Sequence, residues 1–180
     1  VNRKPALLAV AATGLLAGYA ATTAKGTAES VLQPRAEKIW PPTEDDKLVP
    51  GADPADHPDR MPPTVIVDRV VRKVTGKKPA DDTRDRAAAG VHWGLGLSFA
   101  VGYALLRARA PRVGLALGVP AGLALYASTH ASTVPAMGVQ PPPWRMPPAA
   151  VGWEAGSHVV YGIVMEASLR ALGVMASHLR

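Results

Sequence analysis

Hydrophobic positions in this chain gather into four runs separated by polar, proline-rich stretches. Each run is about 20 residues long, the length an α-helix needs to cross the hydrocarbon core of a bilayer. They cover residues 6–24, 87–106, 113–134 and 149–169, and each is rich in Ala, Leu, Val and Gly. The pattern predicts an all-α integral membrane bundle of four transmembrane helices, forming a single membrane domain over residues 1–180. For the first run a secretory signal peptide is the competing assignment, with Arg3 and Lys4 as its basic end and Thr22-Thr23-Ala24 as a cleavage site. The run is long for such a peptide, so an anchor is expected.

Between the first two runs, residues 25–86 predict a long outer loop. Pro34, Pro41, Pro42, Pro50, Pro54, Pro58, Pro62 and Pro63 argue against one continuous helix there. From Thr64 onward, Val67, Val70, Val71 and Val74 alternate with Asp68, Arg69, Arg72 and Lys73 at helical period, and Gly76 supplies a stop. This short amphipathic helix either lies on the membrane surface or covers the outer end of the bundle. Asp82 or Thr83 is placed to cap the second span, with Asp85 in its first turn. Pro120 removes a backbone donor inside the third span and predicts a kink or a packed neighbour near it.

The averages, 48% hydrophobic residues and a mean hydropathy of +0.08, conceal this segregation. All the Asp and Glu residues except Glu154 and Glu166 fall between Glu29 and Asp85. The net charge of +6 comes from short basic clusters beside the apolar runs, which act as orientation signals and do not form a nucleic-acid-binding face. Arg3 and Lys4, then Arg107, Arg109 and Arg112, then Arg170 and Arg180 all fall on one side if the four runs span in succession. That side is cytoplasmic by the distribution of Lys and Arg, so both termini are expected in the cytoplasm. Residues 25–86, with balanced charge, and the connection 135–148, with Arg145 alone, then lie outside. Trp40, Trp93, Trp144 and Trp153 map to that outer side, where indole rings favour the headgroup region.

Small residues recur four apart in every span: Gly14 and Gly18, Gly90 and Gly94, Gly114, Gly118 and Gly122, Gly152 and Gly156. In lipid such pairs let helix backbones approach closely, so tight packing is expected, with any surplus face free to dock a partner. The predicted partners are the lipid bilayer and either other membrane subunits or further copies of the chain.

The same topology carries ionisable residues to one level of the membrane. Lys25 and Glu29 end span one, His92 begins span two, His130 ends span three, and Glu154 and His158 begin span four. Three readings are open. The group is polar glue, with Lys25 on Glu29 and Glu154 on a histidine or on backbone amides. It is part of a proton or ion pathway. Or His92, His130 and His158 ligate a haem or another metallated macrocycle, or two of them hold a metal with Glu154. Aromatic residues make up only 5% of the chain, Phe99 is its sole Phe, and small residues dominate the spans, so no tightly bound cofactor is expected. Glu166 is spaced to pair with Arg170 near the inner surface. No cysteine is present, which removes disulfides, thiolate metal sites and a cysteine nucleophile. No phosphate-binding loop, dinucleotide fingerprint, zinc-binding HExxH helix or nucleophile elbow occurs, and no enzyme activity is predicted. The hydroxyls of residues 128–133 are expected to satisfy helix carbonyls.

Three blocks of residues carry a family resemblance. They are Gly14-Leu-Leu-Ala-Gly18 followed by Lys25, Glu29 and Pro34-Arg35; Phe99-Ala-Val-Gly-Tyr103; and His130, Pro135-Ala-Met-Gly138, Pro141-Pro142, Glu154, Gly156-Ser-His158 and Glu166. In these the chain resembles the YagU-like family of small, multi-spanning bacterial inner-membrane proteins. The resemblance implies an inner-membrane location, an outer loop between spans one and two, and a loose link to acid tolerance without an assigned reaction. From the glycine faces and the long outer loop the expected function is that of an accessory or structural subunit of a larger membrane assembly, with a pH-responsive or proton-handling protein as the alternative and a haem-, chlorophyll-type or metal-binding membrane subunit as the second.

Overall fold

Apolar runs and the placement of proline explain most helix boundaries in the computed structural model. It describes residues 7–178, with side chains as far as Gly173; Arg3, Lys4, Ala6 and Arg180 lie outside the described residues. In chain order the α-helices are α1 (Leu7–Ile39), α2 (Glu44–Lys47), α3 (Pro62–Thr75), α4 (Asp81–Arg109), α5 (Val119–Ser128), α6 (Val134–Ala136) and α7 (Pro148–His178). Short 3₁₀ segments cover Pro58–Arg60, Pro111–Gly118 and Pro143–Arg145, and Thr129–Thr133 forms a π turn. The described residues contain no strand. Leu7–Ile39, Asp81–Arg109 and Pro111–Ala136 are long and apolar enough, by length and composition, to cross a membrane. Helix α7, which carries Glu154, His158, Glu166 and Arg170, is not among these three.

Helix α1 runs well beyond the expected end of span one, so residues 25–39 are helix where a loop was expected. Pro34 sits inside it. Proline removes the hydrogen bond to the carbonyl four residues earlier, here that of Ser30, and both residues lie on an exposed face where that loss is tolerated. After Trp40 the prolines do break the chain into short pieces. Helix α2 starts in a capping box, in which Thr43 Oγ1 accepts from the Asp46 amide and Asp46 Oδ2 accepts from the Thr43 amide. That backbone bond first, and the Thr43 hydroxyl second, hold the Asp46 carboxyl below its ordinary value. Helix α3 ends on Gly76, whose φ of 73° is the left-handed cap that glycine adopts without strain.

The expected third span is interrupted. Leu115 is extended, and Ala116, Leu117 and Gly118 follow with φ of 53°, 53° and 80°, a short left-handed turn before α5. The break lies near Pro120, as expected, just before it; Pro120 itself sits in the first turn of α5, where a missing N–H breaks no helical bond.

The chain forms two compact units, and α1, α4 and α7 contribute residues to both. In the first (residues 1–29, 94–125 and 156–180) Ala17, Ala21, Ala100, Tyr103, Ala104, Ala121, Leu125, Tyr161, Met165 and Leu169 make one core. Its scale is set by small residues. A Cβ on Gly14 would meet Val101 Cα at 2.9 Å, and one on Gly18 would meet Ala100 Cβ at 2.7 Å. Gly118 and Gly122 approach α7 so closely that a Cβ on either would overlap the carbonyls of Gly162 and His158 respectively. Gly114 faces the Glu166 carboxylate. Tyr161 donates its hydroxyl to the Gly96 carbonyl at 2.5 Å and meets Phe99 edge-on.

In the second unit (residues 30–93 and 126–155) Ala36, Ala149 and Trp153 pack with Leu32 and Met61, and Ala52, Met146 and Ala150 with Val49 and Val151. Gly152 lies against Trp40. All four tryptophans belong to this unit, but Trp153 is core and not a headgroup anchor, being 2% exposed. Arg69 ties α3 down by donating to the Met137 and Gly138 carbonyls, each at 2.6 Å. Val67 of α3 is buried, whereas Val70 and Val74 are exposed.

The internal packing expected of Gly90 and Gly94 has no contact to rest on, since a Cβ at either would meet nothing within 4 Å among the described residues. The close approach in α4 is made by Gly96, against Thr22. Gly156 is half-buried on α7. Gly162→Ala is expected to lower stability by about 1–3 kcal/mol, because its methyl would be forced onto backbone at Gly118 and Gly122. Gly26→Ala, in open space on α1, should be neutral or stabilising by up to about 1 kcal/mol. Melting of the two variants in one detergent compares them directly; equal melting temperatures would contradict the close packing.

Candidate functional site

The best-defined polar site lies in the second unit and is organised by the π turn after α5. There Ser132 and Thr133 both donate their hydroxyls to the Ser128 carbonyl at 2.7 Å, so the hydroxyl-rich stretch satisfies backbone as expected. The widened turn presents His130, whose Nδ1 lies 2.7 Å from Glu154 Oε1 on α7. Gln140 Oε1 is 3.3 Å from the same nitrogen, and Gln140 Nε2 reaches Glu154 Oε2 at 3.5 Å. Two oxygen acceptors facing one ring nitrogen require that Nδ1 carry the proton. The Tyr126 ring stacks on the imidazole, with centroids 5.8 Å apart.

Glu154 is 2% exposed and Gln140 4%. A carboxylate so far from water needs donors. His130 is one, at 2.7 Å. Gly51, with φ of 85°, closes the other side of Gln140: a Cβ there would come within 2.5 Å of Gln140 Oε1. Elsewhere in the unit Gln33 donates to Glu37 and Asp53 at 2.9 Å, and Asp53 accepts from the amides of Ala55 and Asp56.

The six residues expected to form one cluster divide between the units. His92, half-buried, belongs to the second unit with His130 and Glu154; Lys25, Glu29 and buried His158 belong to the first. Lys25 pairs with Glu29 one turn along α1, as their spacing predicted. Glu154 makes a carboxylate–imidazole contact with His130, on another element. Among the described residues no group of three or more His, Asp or Glu is arranged to hold a metal ion.

A second polar site, in the first unit, centres on Glu166, which is fully buried. It accepts from Arg170 Nε at 2.6 Å, from Arg107 Nε at 3.0 Å and from the Tyr103 hydroxyl at 2.9 Å. Arg170 was legible from its spacing. Arg107 and Tyr103 were not, because they come from α4 at long sequence separation; nor was Gln140, an ordinary residue in a proline-rich connection.

The family model described as a protein of unknown function (DUF1440) matches residues 20–167, a range that includes the His130, Gln140 and Glu154 site and Glu166. The chain belongs to this family. Comparison with curated proteins and with solved structures returned no match.

His130→Ala would leave the Glu154 carboxylate buried with only the distant Gln140 amide from this trio, a loss on the order of 3 kcal/mol. Glu154→Gln keeps a hydrogen-bonding group of the same shape and should lose about 1 kcal/mol. Thermal melting in detergent separates the two; a greater loss for Glu154→Gln would show that the pair is not the stabilising element.

Proposed function

We propose that this DUF1440 protein is a non-enzymatic, four-span protein of the bacterial inner membrane, of the YagU-like kind, serving as an accessory or structural subunit of a larger assembly. Helix α7 is the fourth span. Its Glu154 and Glu166, which lower its hydropathy, are both buried and paired, a condition that makes acids tolerable in lipid. Both termini are cytoplasmic, and the segment between α1 and α4 faces the outside.

One observation carries the subunit reading. In α4, Gly94, Ser98 and Gly102 recur at four-residue spacing and are all exposed. Gly90, also exposed, precedes them at the same spacing. A Cβ at Gly90, Gly94 or Gly102 meets nothing within 4 Å among the described residues, so these glycines do not serve packing within the chain. Leu95 and Leu106 are exposed on the same helix. A small-residue face of this kind lets a second transmembrane helix approach closely.

The contact of half-buried His130 with buried Glu154 favours a second reading, a pH-responsive or proton-handling protein, since imidazole is the side chain whose charge changes nearest neutral pH. Loss of proton flux from liposomes in Glu154→Gln with an unchanged melting temperature would make this the primary reading.

In mild detergent the chain is expected to migrate as a self-association or with a co-purifying subunit. Gly94→Leu should release the monomer without lowering its melting temperature, because the new side chain enters open space. A wild-type protein that is only monomeric would sink the subunit reading, and activity of a cytoplasm-only reporter fused after Pro50 would reverse the orientation.

A further inference from the structure

At one end of the first unit, Arg107 from the last turn of α4 and Arg170 from α7 meet at Glu166, and Arg109 and Arg112 follow Arg107 closely in the chain. The arrangement is built, not merely basic. Glu166 is fully buried and holds both Arg107 and Arg170 through their Nε atoms, at 3.0 and 2.6 Å, while the Tyr103 hydroxyl fixes Oε2 at 2.9 Å. Arg170 is held again by its Nη2, which donates to the Gly114 carbonyl at 2.7 Å. Gripping a guanidinium at Nε leaves Nη donors for a further acceptor, and the two side chains remain 32% and 47% exposed. Arg109 and Arg112 are exposed within the same stretch of chain. The carboxylate neutralises one of four cations, so the end keeps a net charge of about +3 with its inner pair already ordered.

Beside these arginines the left-handed turn turns apolar side chains outward. Leu115 is 65% exposed and Leu117 58%. Two pre-set guanidiniums, two freer ones and adjacent exposed leucines match a phosphate anion that carries acyl chains. We infer that this end of the first unit binds the phosphodiester headgroup of an anionic phospholipid. The inference rests on the membrane reading above. Inorganic phosphate shares the headgroup's chemistry but offers the leucines nothing to cover.

Native mass spectrometry of the full chain, with phosphatidylglycerol, phosphatidylcholine of the same acyl length or inorganic phosphate added, tests it. Phosphatidylglycerol should be retained and raise the melting temperature, and phosphatidylcholine should do neither. Replacing Arg107 or Arg170 would remove one charged partner from buried Glu166 and destabilise the end, so the informative variant is Arg109→Gln with Arg112→Gln, both exposed. It should bind phosphatidylglycerol about 30-fold more weakly, roughly five-fold per basic residue removed near an anionic surface. Equal retention of the two lipids, an unchanged affinity in the double variant, or full displacement of the lipid by millimolar phosphate would each overturn the assignment. Carbonate extraction separates the premises: a chain released from membranes overturns the membrane reading too, whereas a retained chain with no lipid preference overturns this inference alone.

Discussion

Contact between backbones at Gly118, Gly122 and Gly162 governs the first unit. Without side chains at these positions, α5 and the segment before it lie directly against α7, close enough that one added methyl would overlap a carbonyl. Backbones this close gain many dispersion contacts, each small and together substantial. The left-handed turn at Ala116–Gly118 lies within the same contact. Residues with positive φ interrupt the helical ladder, and carbonyls released nearby take other donors: Val113 accepts from Tyr103, and Gly114 from Arg170. Glu166 then joins these donors, so the close approach, the unwound segment and the buried ion cluster form one connected arrangement.

The second unit meets the same constraint differently. Its segments are held by side chains that reach across to backbone and to each other: Arg69 to the Met137 and Gly138 carbonyls, Gln33 to Asp53, Gln140 between His130 and Glu154. Trp153 departs from this pattern. Its indole N–H is buried with no hydrogen-bond partner, surrounded by alanine and leucine. Here packing of the ring outweighs the unmade bond.

Much of this was legible in the sequence where one element's own periodicity decides the outcome. The apolar runs mark the long helices, Val67 and Gly76 mark the buried side and the end of α3, and four-residue spacing pairs Lys25 with Glu29 and Glu166 with Arg170. What spacing cannot carry is which partner another helix supplies. Gly90 and Gly94 have the same spacing as Gly14 and Gly18, yet only the latter face a neighbour. Glu154 meets His130 on a distant segment, brought in by the π turn, a partner that no spacing along α7 could indicate. Pro34 misled for a related reason: proline is a reliable helix breaker only where the lost hydrogen bond cannot be tolerated, and exposure at that position is invisible in a single sequence.

The π turn itself has a consequence for how the chain can change over time. A π turn accommodates one residue more than the α-helix around it, and each residue of an α-helix advances the azimuth by about 100°. Losing any one residue from Thr129–Thr133 would let regular helix close over the gap while rotating everything on one side of it by that angle, either carrying His130 away from Glu154 or turning Val134 and α6 off their buried side. Point substitutions here are therefore mild events compared with a single-codon deletion, and length should be held more tightly than residue identity along this stretch.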